Sequence, residues 1–128
     1  MPMTLVVAGL GCRRACSGAE IAALARHSAA LAGRAPAILA IPWFRREEVG
    51  LVAAAELLGL PLLVVTEAAL AAAQPFCITR SAPALAARGL ASIAEGCALA
   101  AAGGGAHLIL PRIASARATC AIARREEA

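Results

Sequence analysis

The sequence predicts an α/β protein of three layers, α/β/α, in which helices flank a mostly parallel, mixed sheet of about five strands with a C-terminal hairpin. Three observations carry that expectation. Short apolar runs at Leu5–Ala8, Ala37–Ile41 and Pro61–Val65 alternate with stretches of helical spacing. Those stretches open on residues that cap helices and close on glycine. The last two apolar runs, His107–Leu110 and Thr119–Ala123, are parted only by a polar turn, as in a hairpin. Parallel neighbours need crossovers, and right-handed crossovers lay helices on both faces of a sheet. The 128 residues suit one domain over 1–128, burying roughly two thirds of the surface the unfolded chain exposes.

Each element has its own justification. After the first strand, Ser17 can cap a helix while Glu20 answers three residues later, a capping box. Ile21, Leu24, Ala25 and Leu31 then share a face as far as Gly33. Ala37–Ile41 is the second strand. Glu47 and Glu48 open a helix with Val49, Leu51, Val52, Leu57 and Leu58 on one face, ended by Gly59. Pro61–Val65 is the third strand, and Thr66-Glu67 starts a short alanine-rich helix that fades at Gln74-Pro75. No element is assigned to Pro75–Arg80. A brief helix over Ala82–Ala87 stops at Gly89, and a second capping box, Ser92 to Glu95, opens one that runs to about Ala102, where Gly103–Gly105 break it. The hairpin follows, and Arg125–Ala128 reads as a frayed charged tail.

Composition sets limits on chemistry. Hydrophobic residues make up 61% of the chain, but 37 of its residues are alanine, so the figure reflects small side chains rather than a membrane segment. The longest uncharged stretch, Gly96–Pro111, is interrupted by three glycines and His107 and falls short of the roughly 18 apolar residues that a spanning helix needs. Met1–Gly11 lacks the parts of a secretion signal. No membrane partner is expected, and the cytoplasm is the expected location. Five cysteines, at 12, 16, 77, 97 and 120, form no C-x-x-C pair and indicate neither a disulfide framework nor a zinc site. They read as buried or free thiols, with Cys12 and Cys16 set apart by lying near arginines, where a thiol pKa can fall.

The chain holds no Asp, Asn, Lys or Tyr: all twelve cations besides histidine are Arg and all eight acids are Glu, for a net charge of +4. A P-loop lysine, a Schiff-base lysine and a Ser-His-Asp triad are therefore excluded. With one Trp and two Phe, and no dense basic stripe, no nucleic-acid partner is expected. His27 and His107 have no visible partner in the sequence. No metal site and no cofactor are expected. Gly9-x-Gly11 lacks the third glycine and the later acid of a dinucleotide fingerprint, which argues against NAD. An anionic small molecule fits, because the guanidinium fork matches carboxylate and phosphate geometry.

In a parallel sheet with crossovers, ligands bind at the carboxyl edge of the strands. The stretch GLGCRRACSGAE, residues 9–20, follows the first strand directly and should reach that edge. Gly9 and Gly11 permit a tight turn near a ligand, Ser17 marks a helix N-terminus, and Arg13 and Arg14 supply two charges that have no packing task. The same topology brings Trp43, Phe44, Arg45 and Arg46, then Thr66 and Glu67, then Arg112–Arg117 to one edge, with Ser92 at a further helix start. Such an edge suits a large, flat, polycarboxylated ligand. Plain helix capping for Ser17 and Ser92, a solvated helix start for Arg45–Glu48 and a core or subunit-interface role for Trp43 and Phe44 are the alternatives.

The motifs also resemble a family. GLGCRRACSGAEI is similar to the G-[IL]-G-C-R-R-G-x-S-x-x-E-[IL] opening of the cobalamin-biosynthesis family that holds CobE and the C-terminal domain of CbiG. EVGLVAAAELLGLPL resembles the family's helix and following strand. RGLASIAEGCALAAAG resembles its V-G-V-x-S-V-A-E-A-A-A-L-x-x-A-G, and LILPR with ATCAIAR resembles its closing pair of strands. The likeness runs from about Leu5 to Arg124. Ala15 and Cys16 replace the usual Gly-Thr, Pro42-Trp43 stands where many members carry Ile-Asp-Leu-Lys, and Arg112 replaces the common Lys. A contact made by that missing acid does not carry over.

The resemblance implies an α/β/α fold with a mixed sheet and a role in making the corrin ring. CbiG is a hydrolase that opens the ring lactone of a cobalt-precorrin, releasing a two-carbon aldehyde, and it has further N-terminal regions not seen here. This chain resembles the stand-alone CobE type, which implies binding or carrying a polycarboxylated corrin intermediate such as hydrogenobyrinic acid. The expected ligand-binding residues are Gly9, Gly11, Cys12, Arg13, Arg14, Ser17, Ser92, Glu95, Arg112 and Arg117. Two alternatives stay open. One is a lactone or ester hydrolase, with Glu95 or Glu20 activating water and Cys12 or Ser17 as nucleophile. The other is an assembly subunit that joins a methyltransferase or other pathway enzyme through Trp43 and Phe44. A homo-oligomer is also open.

Overall fold

The computed structural model describes residues 3–127 and follows the expected order of elements. Helix α1 (Gly18–Ala32) is capped by Ser17, whose hydroxyl accepts the Glu20 N–H at 3.1 Å, and it ends on Gly33 at φ 68°. Helix α2 (Val49–Leu58) ends on Gly59 in the same left-handed conformation. Thr66 caps α3 (Glu67–Ala73) and Ser92 caps α5 (Ile93–Ala102), each hydroxyl accepting the N–H three residues on. Helix α4 is Ala82–Arg88, and a single 3₁₀ turn, Gln74–Phe76, opens the stretch the sequence left unassigned. The two expected capping boxes are formed only on the hydroxyl side. The Glu20 and Glu95 carboxylates are held by distant parts of the chain.

The strands are longer than their apolar cores. Strand β1 is Met3–Cys12, so Gly9–Cys12 is strand and not the expected turn. Strand β5 is Ala118–Glu127, so Arg125–Glu127 is not a frayed tail; Ala128 lies outside the described residues. One pairing accounts for both corrections: β1 and β5 run antiparallel in unbroken register from Met3 opposite Glu127 to Cys12 opposite Ala118. Ladder hydrogen bonds hold polar and glycine residues in a strand that their side chains alone do not specify.

Strands β2 (Ile38–Pro42) and β3 (Leu62–Val65) extend the sheet on one side of β1 by parallel pairing, and β4 (His107–Ala114) adds to the far side of β5. The order is β3-β2-β1-β5-β4, a mixed sheet in which β5 alone runs against the others. The β4–β5 register slips on either side of Leu110, next to Pro111, which has no N–H to donate.

The two faces of the sheet differ in relief. Val6, Ala8, Leu10, Leu39, Ile41, Cys120 and Ile122 meet α1 and α2 through Ile21, Leu24 and Leu51. On the other face, Val7, Ala40 and Ala123 meet α3 and α5 through Leu70, Cys97 and Leu99. Gly9 belongs to this second face, and a Cβ there would lie 2.0 Å from the Ala94 carbonyl oxygen and 2.5 Å from the Ala98 nitrogen. Small residues thus let α5 press its backbone onto the sheet. Among the described residues no helix is long and apolar enough to cross a membrane.

Candidate functional site

The loops that leave the carboxyl ends of the strands converge on a cleft of about 380 Å³. Its wall includes five arginines from five parts of the chain: Arg13 after β1, Arg45 after β2, Arg88 at the end of α4, Arg112 within β4 and Arg117 in the β4–β5 turn. Two hydrogen-bond sets hold these pieces together. The Arg13 N–H donates to the Arg117 carbonyl at 2.8 Å, tying the end of β1 to the hairpin turn. Glu20, on the first turn of α1, accepts the Ser115 hydroxyl and the Arg117 N–H, the latter at 2.7 Å, on one carboxylate oxygen.

Aromatic rings support the remaining charges. Trp43 and Phe44 stack edge to face, with centroids 5.4 Å apart. The Arg88 guanidinium lies 4.1 Å from the Phe44 centroid and 5.6 Å from that of Trp43, and Arg45 sits 5.4 Å from Phe44. Arg45 also donates through Nε to the Cys12 carbonyl at 2.9 Å. A ring face attracts a guanidinium without consuming its N–H groups, so they stay available to an incoming acid. Arg46 turns away and donates to the Trp43 carbonyl.

The sequence-predicted residues divide into two groups. Gly11, Cys12, Arg13, Arg112 and Arg117 line the cleft. Gly9 lies under α5, Arg14 is exposed outside the wall, and Ser17 and Ser92 cap helices, Ser92 being fully buried. Thr66 and Glu67 begin α3 and stand outside the wall. Sequence reasoning missed Arg88, Ser81 and Thr119, which also face the cleft. An arginine immediately before the helix-stopping Gly89 was the available signal for Arg88. Ala15, in place of the family's glycine, takes φ 61°, and its N–H donates to Glu48 Oε1 at 2.7 Å.

Among the described residues the cleft wall carries no carboxylate, although Glu20 behind it interacts electrostatically with Arg117. Glu95 is fully buried: Oε1 accepts the N–H groups of Ile78 and Thr79 at 2.7 and 2.8 Å, and Oε2 accepts the Thr79 hydroxyl and the Arg112 N–H at 2.6 and 2.9 Å. Burial pushes its pKa up, but the Arg112 N–H and the Thr79 and Ile78 donors outweigh that and hold it below the ordinary carboxylate value. The Ser115 hydroxyl and the Arg117 N–H lower Glu20 in the same way. Burial, with Glu48 and Cys16 against the weaker pull of Arg45, pushes the Cys12 thiol up to about 11. The arginine-rich surroundings therefore do not activate Cys12, contrary to the fall in pKa that its position suggests. Among the described residues no group of three or more His, Cys, Asp or Glu side chains is placed to hold a metal.

Comparison with known proteins adds an independent line. A family model described as "Cobalamin synthesis G C-terminus" matches residues 6–123. The protein CobE of Sinorhizobium sp is 38% identical over 121 residues, covering 92% of this chain and 79% of that protein. The 1.7 Å crystal structure of CobE, a protein from the cobalamin (vitamin B12) biosynthetic pathway, superposes with a TM-score of 0.90 at 36% identity, covering all of this chain and 96% of that one. The cobalamin biosynthesis protein chiG from Agrobacterium tumefaciens str. C58 gives a TM-score of 0.76 at 37% identity, covering 93% of this chain and 97% of that one.

Proposed function

This chain belongs to the cobalamin synthesis G C-terminus family, and from that premise we propose that this cobalamin biosynthesis protein binds a polycarboxylated corrin intermediate in its arginine-lined cleft, as a carrier or accessory protein. Hydrogenobyrinic acid is the ligand to test first. The observation that carries the proposal is the convergence of Arg13, Arg45, Arg88, Arg112 and Arg117 on one cleft whose wall, among the described residues, has no carboxylate. Corrin precursors bear several acetate and propionate groups, and each charge-assisted bond from a guanidinium to such a group contributes about 1.5–3 kcal/mol. Two such bonds supply about 3–6 kcal/mol, and the hydrophobic contact of a flat macrocycle with Phe44 and Ile93 adds to that.

Carriage is favoured over catalysis by the state of the candidate reactive groups. The Cys12 thiol is protonated at neutral pH, and the Glu20 and Glu95 carboxylates, which do not themselves line the cleft, are occupied by hydrogen bonds that hold its wall segments. A general base must reach the water it activates, and a nucleophilic thiol must be ionised. The open cleft suits a ligand held by its acid-bearing rim, with the rest of the ring accessible to a receiving enzyme.

The test is a titration of the purified protein with hydrogenobyrinic acid, followed in the pigment's visible spectrum, for the wild type and for Arg13→Ala/Arg117→Ala. Saturable binding by the wild type, weakened at least a hundredfold in the double variant with the pigment chemically unchanged, is the expected result. A chemically altered pigment would show an enzyme instead. No binding of this acid or of earlier precursors by the wild type refutes the ligand-site reading.

A further inference from the structure

Among the described residues Glu95 is an acid without a cation: its four hydrogen-bond donors there are the Ile78 N–H, the Thr79 N–H, the Thr79 hydroxyl and the Arg112 backbone N–H, and all are uncharged. Burying an ionised carboxylate is costly unless donors replace its water. An acid serving only the α5 dipole gains that interaction at the surface, without the burial. Here four donors converge from two segments onto a side chain from a third, using the acceptor capacity of both oxygens. Each of the three segments enters the cleft wall. Thr79 leads into Ser81 and Pro83 and then α4, Arg112 is itself in the wall, and Ile93 stands two residues before Glu95. A second tie at the same place joins Ser92 to Gln74, whose side chain accepts the Ser92 N–H at 3.1 Å and donates to its carbonyl at 3.2 Å.

We propose that Glu95 is a positioning residue: it fixes α4, β4 and the start of α5 relative to one another, so that Arg88 and Arg112 face the same ligand, and it does not touch that ligand itself. What the cleft holds rests on the function proposed above. That Glu95 sets the walls stands on the hydrogen bonds alone. Glutamine in its place would turn an N–H₂ group toward two of the four donors, leaving them unpaired in a buried site.

Glu95→Gln and the milder Thr79→Val test this, each studied at a temperature where circular dichroism shows the variant folded. Amide hydrogen exchange reads the walls, and fluorescence of Trp43, the sole tryptophan and a neighbour of Arg88, reads the position of α4. In Glu95→Gln, exchange at Ile78, Thr79 and Arg112 should quicken while Val7, Leu39 and Ile122 in the central sheet stay protected, and Trp43 emission should shift. Affinity for hydrogenobyrinic acid should fall on the order of tenfold or more, with the same pattern weaker in Thr79→Val. Unchanged exchange at those three amides overturns the proposal, as does wild-type affinity despite quickened exchange. If the wild type itself does not bind the acid, the function proposed above fails, while the amide pattern and Trp43 emission still decide the role of Glu95. If Glu95→Gln does not fold, Thr79→Val decides it by the same readings.

Discussion

Gly9→Ala separates the two readings of the opening glycines most sharply. A ligand-loop glycine replaced by alanine loses binding and little stability, whereas a packing glycine does the reverse. The Cβ would lie 2.0 Å from the Ala94 oxygen and 2.5 Å from the Ala98 nitrogen, both backbone atoms of α5. Ordinary contact begins near 3.4 Å, so α5 would have to retreat by about 1.4 Å, and no side chain can yield in its place. Overpacking of a tight core typically costs about 1–3 kcal/mol, and a backbone-to-backbone clash belongs at or above the top of that range. For a domain of this size a loss of about 3 kcal/mol lowers Tm by about 10 °C. Urea denaturation of wild type and variant checks the stability, and pigment titration of the folded fraction checks the cleft. A loss below about 1 kcal/mol, or lost binding at unchanged stability, would refute the packing argument. Gly11→Ala is the control: its nearest neighbour is the Thr119 hydroxyl at 2.6 Å, the tip of a side chain that can rotate aside.

Two further outcomes follow from local geometry. At Ala15, φ 61° places an L-residue in a region that costs about 1 kcal/mol, partly offset in glycine by its freer unfolded chain. Ala15→Gly should therefore raise stability by about 0.5 kcal/mol in urea denaturation, and Ala15→Val should lower it by more than 1 kcal/mol. Glu20 and Glu95 both have folded-state pKa values below the ordinary 4.5. Their contribution is therefore complete above that value and is lost as pH falls through the lowered ones. Thermal melts should be flat in this respect from pH 7 to 5 and fall below pH 4.5, and Glu95→Gln should flatten the acid limb.

How much of this was legible in the sequence depended on the range of the forces involved. Helix starts and stops could be read because Ser17, Thr66 and Ser92 bond to amides three residues away and Gly33 and Gly59 relieve a local backbone cost. Strand ends could not, since Gly9–Cys12 and Arg124–Glu127 have no apolar alternation and are held by pairing between β1 and β5. Arg13, Arg112 and Arg117 could be placed at the carboxyl edge from topology alone. Arg88 could not, because its position depends on α4 folding back over that edge, which the Glu95 bonds to Ile78 and Thr79 bring about. Glu20 and Glu95 looked like capping partners by spacing, yet their carboxylates answer residues far along the chain, Ser115 and Arg117 for one and Thr79 and Arg112 for the other.

The central pairing of β1 with β5 also bears on how the chain reaches this fold. Its two partners leave the ribosome about a hundred residues apart, and the sheet cannot close around its middle until the later one is free. Through that interval β1 can pair with β2 on one side only, and its Leu5–Leu10 run of apolar residues presents a bare hydrogen-bonding edge. Closing so long a loop is slow, and the contacts that reward it arrive together at the end. Synthesis thus leaves the most buried strand of the finished protein as the one that waits longest for its second neighbour.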